Sequence, residues 1–176
     1  MKINQLPPSP CQGEGRGEGL TLILLILLAG CGYRFTAPNA SLPVHSARVP
    51  IFINRTAEPA AELAFTQAAR DQLERAGRLG GPDAEGVLEG TILAVSSGPF
   101  LSAPTLFRYP VFRMTATLSL TLKKGGLSVG ATTVSVSEEF PSGADVLLTE
   151  SNRAAALRRL ADAAIREGFE RLQSAQ

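Results

Sequence analysis

The sequence predicts an α/β fold of the α+β kind, a two-layer sandwich in the order β-α-β-β-β-α with two helices on one face of a four-stranded sheet. Three patterns carry that expectation. Phe112, Met114, Ala116, Leu118, Leu120 and Leu122 alternate with Arg113, Thr115, Thr117, Ser119 and Thr121, which is the period of a strand with one apolar and one hydroxyl face. Leu157, Leu160, Ala161, Ala164, Ile165, Gly168, Phe169 and Leu172 recur at i, i+3, i+4 and i+7, the stripe of a helix packed on an apolar layer. The length, 176 residues with 44% hydrophobic and 19% charged, is that of one domain.

In chain order, the apolar run Leu20 to Gly30 comes first. As a helix it rises only about 16 Å, roughly half of the hydrocarbon thickness, so it suits a signal-peptide core and not a membrane span. Leu28-Ala29-Gly30-Cys31 directly behind it resembles the bacterial lipobox, in which small residues admit a peptidase and the thiol accepts diacylglycerol. Residues 1–30 are therefore expected to be removed as a lipoprotein signal peptide. Cys31 then becomes the lipidated N-terminus, carrying diacylglycerol and an N-acyl chain such as palmitate. Lys2 lies far from the apolar run and Arg16 is flanked by Glu14 and Glu18, so the preceding stretch reads as low complexity or as a start codon placed too early. Gly32 is not the Asp that retains many lipoproteins at the inner membrane, which favours the outer one.

Residues 31–46, with Pro38, Asn39, Ser41 and Pro43, read as a tether, and 47–174 as the folded domain. Its first strand alternates Ala47, Val49, Ile51 and Ile53 against Arg48, Pro50, Phe52 and Asn54, and Pro50 makes it an edge or irregular strand. A helix is expected over 58–76, opened by Asn54-Arg55-Thr56 and Pro59. Its inner face is Phe65, Ala69, Leu73 and Ala76, with Arg70, Asp71, Glu74 and Arg75 outward. Gly86 to Ser96 is apolar on both faces, as in a central strand, and Ser97 to Phe107 follows as an apolar loop. Lys123-Lys124-Gly125-Gly126 turns the long strand into Val129 to Glu139, whose Thr133, Ser135 and Ser137 extend the hydroxyl face. A hydroxyl face does not belong in a dry core. The closing helix spans at least 152–172 and starts as early as Asp145.

The composition argues against several functions. Seventeen Lys+Arg against 16 Asp+Glu leave a formal charge of +1, and with two Tyr and no Trp there is little to capture or stack nucleic acid. Downstream of the signal segment stand one His, His45, and one Cys, Cys31, so no metal site is expected. No phosphate loop or G-x-S-x-G is present, and Glu138-Glu139, adjacent on a strand, point to opposite faces. No catalytic residue is assigned and no cofactor is expected; the chain does not read as an enzyme.

Cys31-Gly32-Tyr33-Arg34-Phe35, Val49-Pro50-Ile51-Phe52-Ile53-Asn54-Arg55-Thr56 with Glu58-Pro59, Leu88-Glu89-Gly90-Thr91-Ile92 and Tyr109-Pro110-Val111 together resemble the lipopolysaccharide-assembly outer-membrane lipoprotein family LptE, over 31–172. The resemblance implies a Gram-negative cell-envelope lipoprotein on the periplasmic side of the outer membrane. It implies the LptD β-barrel and lipopolysaccharide as partners, with the lipoprotein plugging the barrel and assisting its assembly. Contacts to lipopolysaccharide phosphates call for cations beside apolar residues, and Arg108, Arg113, Lys123 and Lys124 are the candidates. Val49 to Thr56 also fits the strand, turn and helix that open periplasmic lipoprotein modules of the CsgG and TolB amino-terminal type, in secretion or envelope regulation. The long alternating strand, its Lys-Lys-Gly-Gly hairpin and the single closing helix favour LptE.

Overall fold

The computed structural model describes residues 42–100 and 110–174. Cys31 and Arg108 lie outside them, as do most of the tether and the apolar segment 101–109.

Among the described residues five strands and two helices follow in the order β1 (Ala47–Arg48), β2 (Ile53–Asn54), α1 (Ala61–Arg75), β3 (Gly86–Phe100), β4 (Val111–Lys124), β5 (Leu127–Pro141) and α2 (Val146–Ser174). The sheet runs β1-β3-β4-β5, with β2 also on β3; β1 and β2 pair parallel to β3, and the remaining pairs are antiparallel. Helix α2 packs over β4 and β5, and α1 packs against α2 and β3, so both helices lie on the same face. This is the α+β sandwich the alternation and helix stripe predict, with the first strand in two pieces.

The division of that first strand has a simple count behind it. Arg48 stands opposite Val87 and Ile53 opposite Thr91, so the edge uses one residue more than β3 between those rungs. One extra residue inverts which side chains face inward. Ala47 and Val49 are buried as expected, but beyond them Phe52 is buried while Ile51 and Ile53 are 63% and 59% exposed. The expected inner row Ala47, Val49, Ile51, Ile53 thus holds for its first half only.

Backbone groups freed by the interruption find partners on α1. Phe52 N–H donates to Thr66 Oγ1 at 2.9 Å, and Arg70 donates to the Val49 carbonyl from Nη2 at 3.0 Å. Arg70, expected outward, instead reaches the strand edge. Ala60, at φ 59°, is left-handed, so a right-handed helix cannot run through it from Pro59, and α1 starts at Ala61 instead of 58. Ala76 caps the helix and is exposed.

β3 continues through Ser97 to Phe100, the beginning of the expected loop, and carries its own bulge: Ile92 faces Leu118, but Ala94 faces Thr117, leaving Leu93 as the extra residue. Before it Leu88 and Ile92 point to the helices; after it Val95 does. Gly125 and Gly126, at φ 56° and 85°, form the two-residue turn between β4 and β5, a conformation glycine adopts without a Cβ penalty.

The core sits between this face and the helices, built on Leu88, Ile92, Met114, Leu118, Leu120, Leu122 and Val134 against Phe65, Leu73, Leu160, Ile165 and Leu172. Leu42 and Val44 join it, held by Arg78 Nη1 donating to both of their carbonyls at 3.1 Å, so residues 42–46, assigned to the tether by composition, pack on the domain. β5 is an edge strand, and α2 guards it: Arg171, Arg159 and Asn152 donate to the carbonyls of Thr133, Glu139 and Pro141. A guarded edge resists pairing with other chains.

Candidate functional site

The face of the sheet turned away from the helices is a field of hydroxyls. Across β3, β4 and β5 its successive rows are Thr91, Ser119 and Thr133; Ala94, Thr117 and Ser135; then Ser96, Thr115 and Ser137. Thr115 and Ser137 share a hydrogen bond of 2.8 Å, and Thr117 donates to Ser135 at 3.3 Å. Among the described residues no helix or strand packs over these rows.

Charges border the field in pairs. At the hairpin end Lys123 Nζ lies 2.8 Å from Glu89 and Lys124 Nζ 2.6 Å from Glu85. The Lys124 ammonium and the His45 backbone N–H, which donates to Glu85 Oε2 at 2.6 Å, hold the Glu85 carboxyl below its ordinary value. At the opposite end Arg113 bonds Glu139 at 2.7 Å and stacks on the Phe100 ring, 3.7 Å from its centroid. Of the four cations assigned from the sequence, Lys123 and Arg113 therefore lie at the margins of the hydroxyl field and Lys124, the next residue along β4, stands on the other face of the strand, each of the three with a carboxylate partner. The structure gathers Lys123 and Lys124 at one end and separates them from Arg113 by the length of the strand.

Glu138 and Glu139 do diverge: Glu139 takes Arg113 on the hydroxyl face, and Glu138 takes Arg159 of α2 at 2.6 Å on the other. Among the described residues no cluster of three or more His, Cys, Asp or Glu side chains could hold a metal ion, and no helix is long and apolar enough to cross a membrane.

Two exposed arginines escaped the sequence reading. Arg48 and Arg55 flank Ile51 and Ile53 on the β1–β2 edge, and among the described residues neither has an ion pair or side-chain hydrogen bond. The extra residue that turns the isoleucines outward had no periodic signal of its own, because it is defined only relative to β3.

The family model described as "LptE: Lipopolysaccharide-assembly" matches residues 44–172, the whole of this sandwich. The chain belongs to the LptE family. LptE is a non-enzymatic family of lipopolysaccharide assembly.

No curated protein matches the chain. Solved structures share its fold. A protein described as a lipoprotein from Caulobacter crescentus is similar at a TM-score of 0.51 and 17% identity, over 70% of this chain and 89% of that one. A hypothetical protein from Chlamydia trachomatis is similar at 0.50 and 10% identity, over 74% and 96%. Rare lipoprotein B from Shewanella oneidensis aligns at 0.48 and 9% identity, over 73% and 95%. The first two support the α+β architecture of an LptE-family domain, with two helices on a mixed sheet.

Proposed function

We propose that this LptE-family chain is an outer-membrane lipoprotein, anchored on the periplasmic side through Cys31, that plugs and helps to assemble the LptD β-barrel as lipopolysaccharide passes to the outer leaflet. The observation that carries this reading is the uncovered hydroxyl field on β3, β4 and β5. A dry partner would strand those hydroxyls at about 1–3 kcal/mol for each left unpaired, whereas the hydrated, polar interior of a membrane barrel offers water and hydrogen-bonding side chains. The ion pairs at both ends neutralise the bordering charges in place, so the field suits a wall without strong net charge. No step of this role needs a reacting group or a cofactor; the chain acts by filling and by bonding.

The test is capture from detergent extracts of the native envelope. The wild-type chain is expected to bring down a large outer-membrane β-barrel, and Thr117→Arg with Ser119→Arg, which places two charges on the field without touching the core, is expected to lower recovery about tenfold. Equal recovery with the double variant, or recovery of a curli-type secretion complex or a peptidoglycan synthase by the wild type, overturns the reading.

A further inference from the structure

Strand β3 has a neighbour on both sides for only half its length. β4 flanks it throughout, but on the other side β1 and β2 stop at Ile92, where the Arg55 N–H donates to the Ile92 carbonyl at 3.0 Å as the last rung. Asn54 ends that row. Its Nδ2 donates to the Glu58 carbonyl and to Glu62 Oε2, both at 2.9 Å, and its Oδ1 accepts from the N–H and the hydroxyl of Thr56, so the chain turns away to α1. Among the described residues no strand fills the lane beside 93–100.

The ladder with β4 says which groups face that lane. Because Ile92 turns its carbonyl toward the lane, Leu118 opposite it is not bonded to β3, and alternation along β4 makes Thr117 bonded and Ala116 not. Val95, opposite Ala116, therefore turns its N–H and C=O into the lane, as does Ser97, and Pro99 turns its C=O there. Pro99 has no N–H and stands where β4 needs none, which is where a strand tolerates proline.

The other edges are closed by side chains. Arg171, Arg159 and Asn152 cover β5, and Thr66 and Arg70 cover the gap between β1 and β2. Residues 93–99 carry no charge, and Leu93, Ala94, Ser96, Ser97 and Pro99 are exposed. An extended edge with neither guard nor charge is a template for one more strand, and extended main chain is what matches its alternating donors and acceptors. The exposed Arg55, without an ion pair among the described residues, stands at the head of the lane and suits a carboxylate, while the space where a Gly98 Cβ would stand is open and admits a large side chain. Strands of a closed membrane barrel already pair with one another, so a barrel wall cannot enter.

We propose that the β3 edge at 93–99 is a strand-addition site for an extended, acidic segment of another polypeptide, whose main chain pairs with Val95, Ser97 and Pro99 and whose carboxylate meets Arg55. The site is separate from the hydroxyl field and does not rest on the plug.

The test is amide hydrogen exchange on the full chain, purified alone and in the complex isolated from detergent extracts of the native envelope. Alone, Val95 and Ser97 are expected to exchange faster than Ser96, which is bonded to β4; in the complex they slow about tenfold or more. Ser97→Pro removes a lane-facing N–H without touching the β4 ladder, and is expected to keep its thermal midpoint while the companion polypeptide recovered with it falls several-fold. Arg55→Glu, at an exposed position, lowers recovery likewise, and Arg55→Lys preserves it. Slow exchange at Val95 and Ser97 in the isolated monomer would put a segment of this chain in the lane, and a dimer in sedimentation that Ser97→Pro dissolves would put a second copy there; either overturns the proposal. A companion that leaves both amides fast binds elsewhere and overturns it too. Barrel recovery is read separately: a complex that contains a barrel but leaves the lane open refutes this site alone, and a lane closed by a companion in a complex without a barrel refutes the plug alone.

Discussion

The ring of Phe52 occupies the space over Gly90 where a Cβ would otherwise stand. The contact joins the interrupted edge to the central strand. Phe52 is turned inward by the extra residue before it, its backbone N–H is taken by Thr66, and its ring needs a residue without a side chain beneath it. Leu88-Glu89-Gly90-Thr91-Ile92 therefore carries its glycine where an aromatic ring crosses the strand.

Gly90→Ala is expected to destabilise the domain by about 1–3 kcal/mol, because the ring must move off its site in a packed core. Phe52→Ala is expected to cost about 3–5 kcal/mol, as a buried aromatic lost to a cavity. In the double variant the two losses should add to less than their sum, since the smaller side chain at 52 makes room for the methyl at 90. Denaturant midpoints of the four proteins check this, and full additivity would contradict the contact.

Acid should weaken the hairpin end through Glu85. Lys124 and the His45 N–H favour its ionised form in the folded chain, so its folded pKa lies below the unfolded one. The resulting stabilisation is present above the ordinary glutamate range, near pH 4.3, and is lost as pH falls through the lowered folded value. Glu85→Gln removes that contribution, so wild type and variant should differ in thermal midpoint near neutral pH and converge on acidification. A constant difference across the acid limb would show that the Glu85 charge contributes nothing.

Lipidation is expected at Cys31. Globomycin, or Cys31→Ala, should block maturation, leaving a larger precursor and shifting the chain away from the outer-membrane fraction. Unchanged size and fractionation in the variant would show that the anchor lies elsewhere.

The elements of the inner layer were legible because their burial is periodic. Leu118, Leu120 and Leu122 face helices that repeat at their own period, so local sequence and long-range packing agree. The hydroxyl field was legible for the same reason, as the alternate set of those strands. The outward turn of the β1–β2 edge was not. Ile51 and Ile53 have the alternation of an inner row, and only pairing with β3 shows that the register has slipped by one residue there. The pairing of Lys123 with Glu89 and of Arg113 with Glu139 was equally hidden, since those partners are distant in sequence and meet only once register is set.

By itself the sequence determined the order of elements, the long amphipathic strand, the closing helix and the resemblance to LptE, all of which depend on residues near one another along the chain. Tertiary structure alone decided which side of the edge strand is wet, which cations have carboxylate partners, and that residues 42–46 pack on the domain. The physical reason is that strand register relates distant residues: one inserted residue reverses inside and outside, and the neighbouring strand is the reference that makes the insertion count.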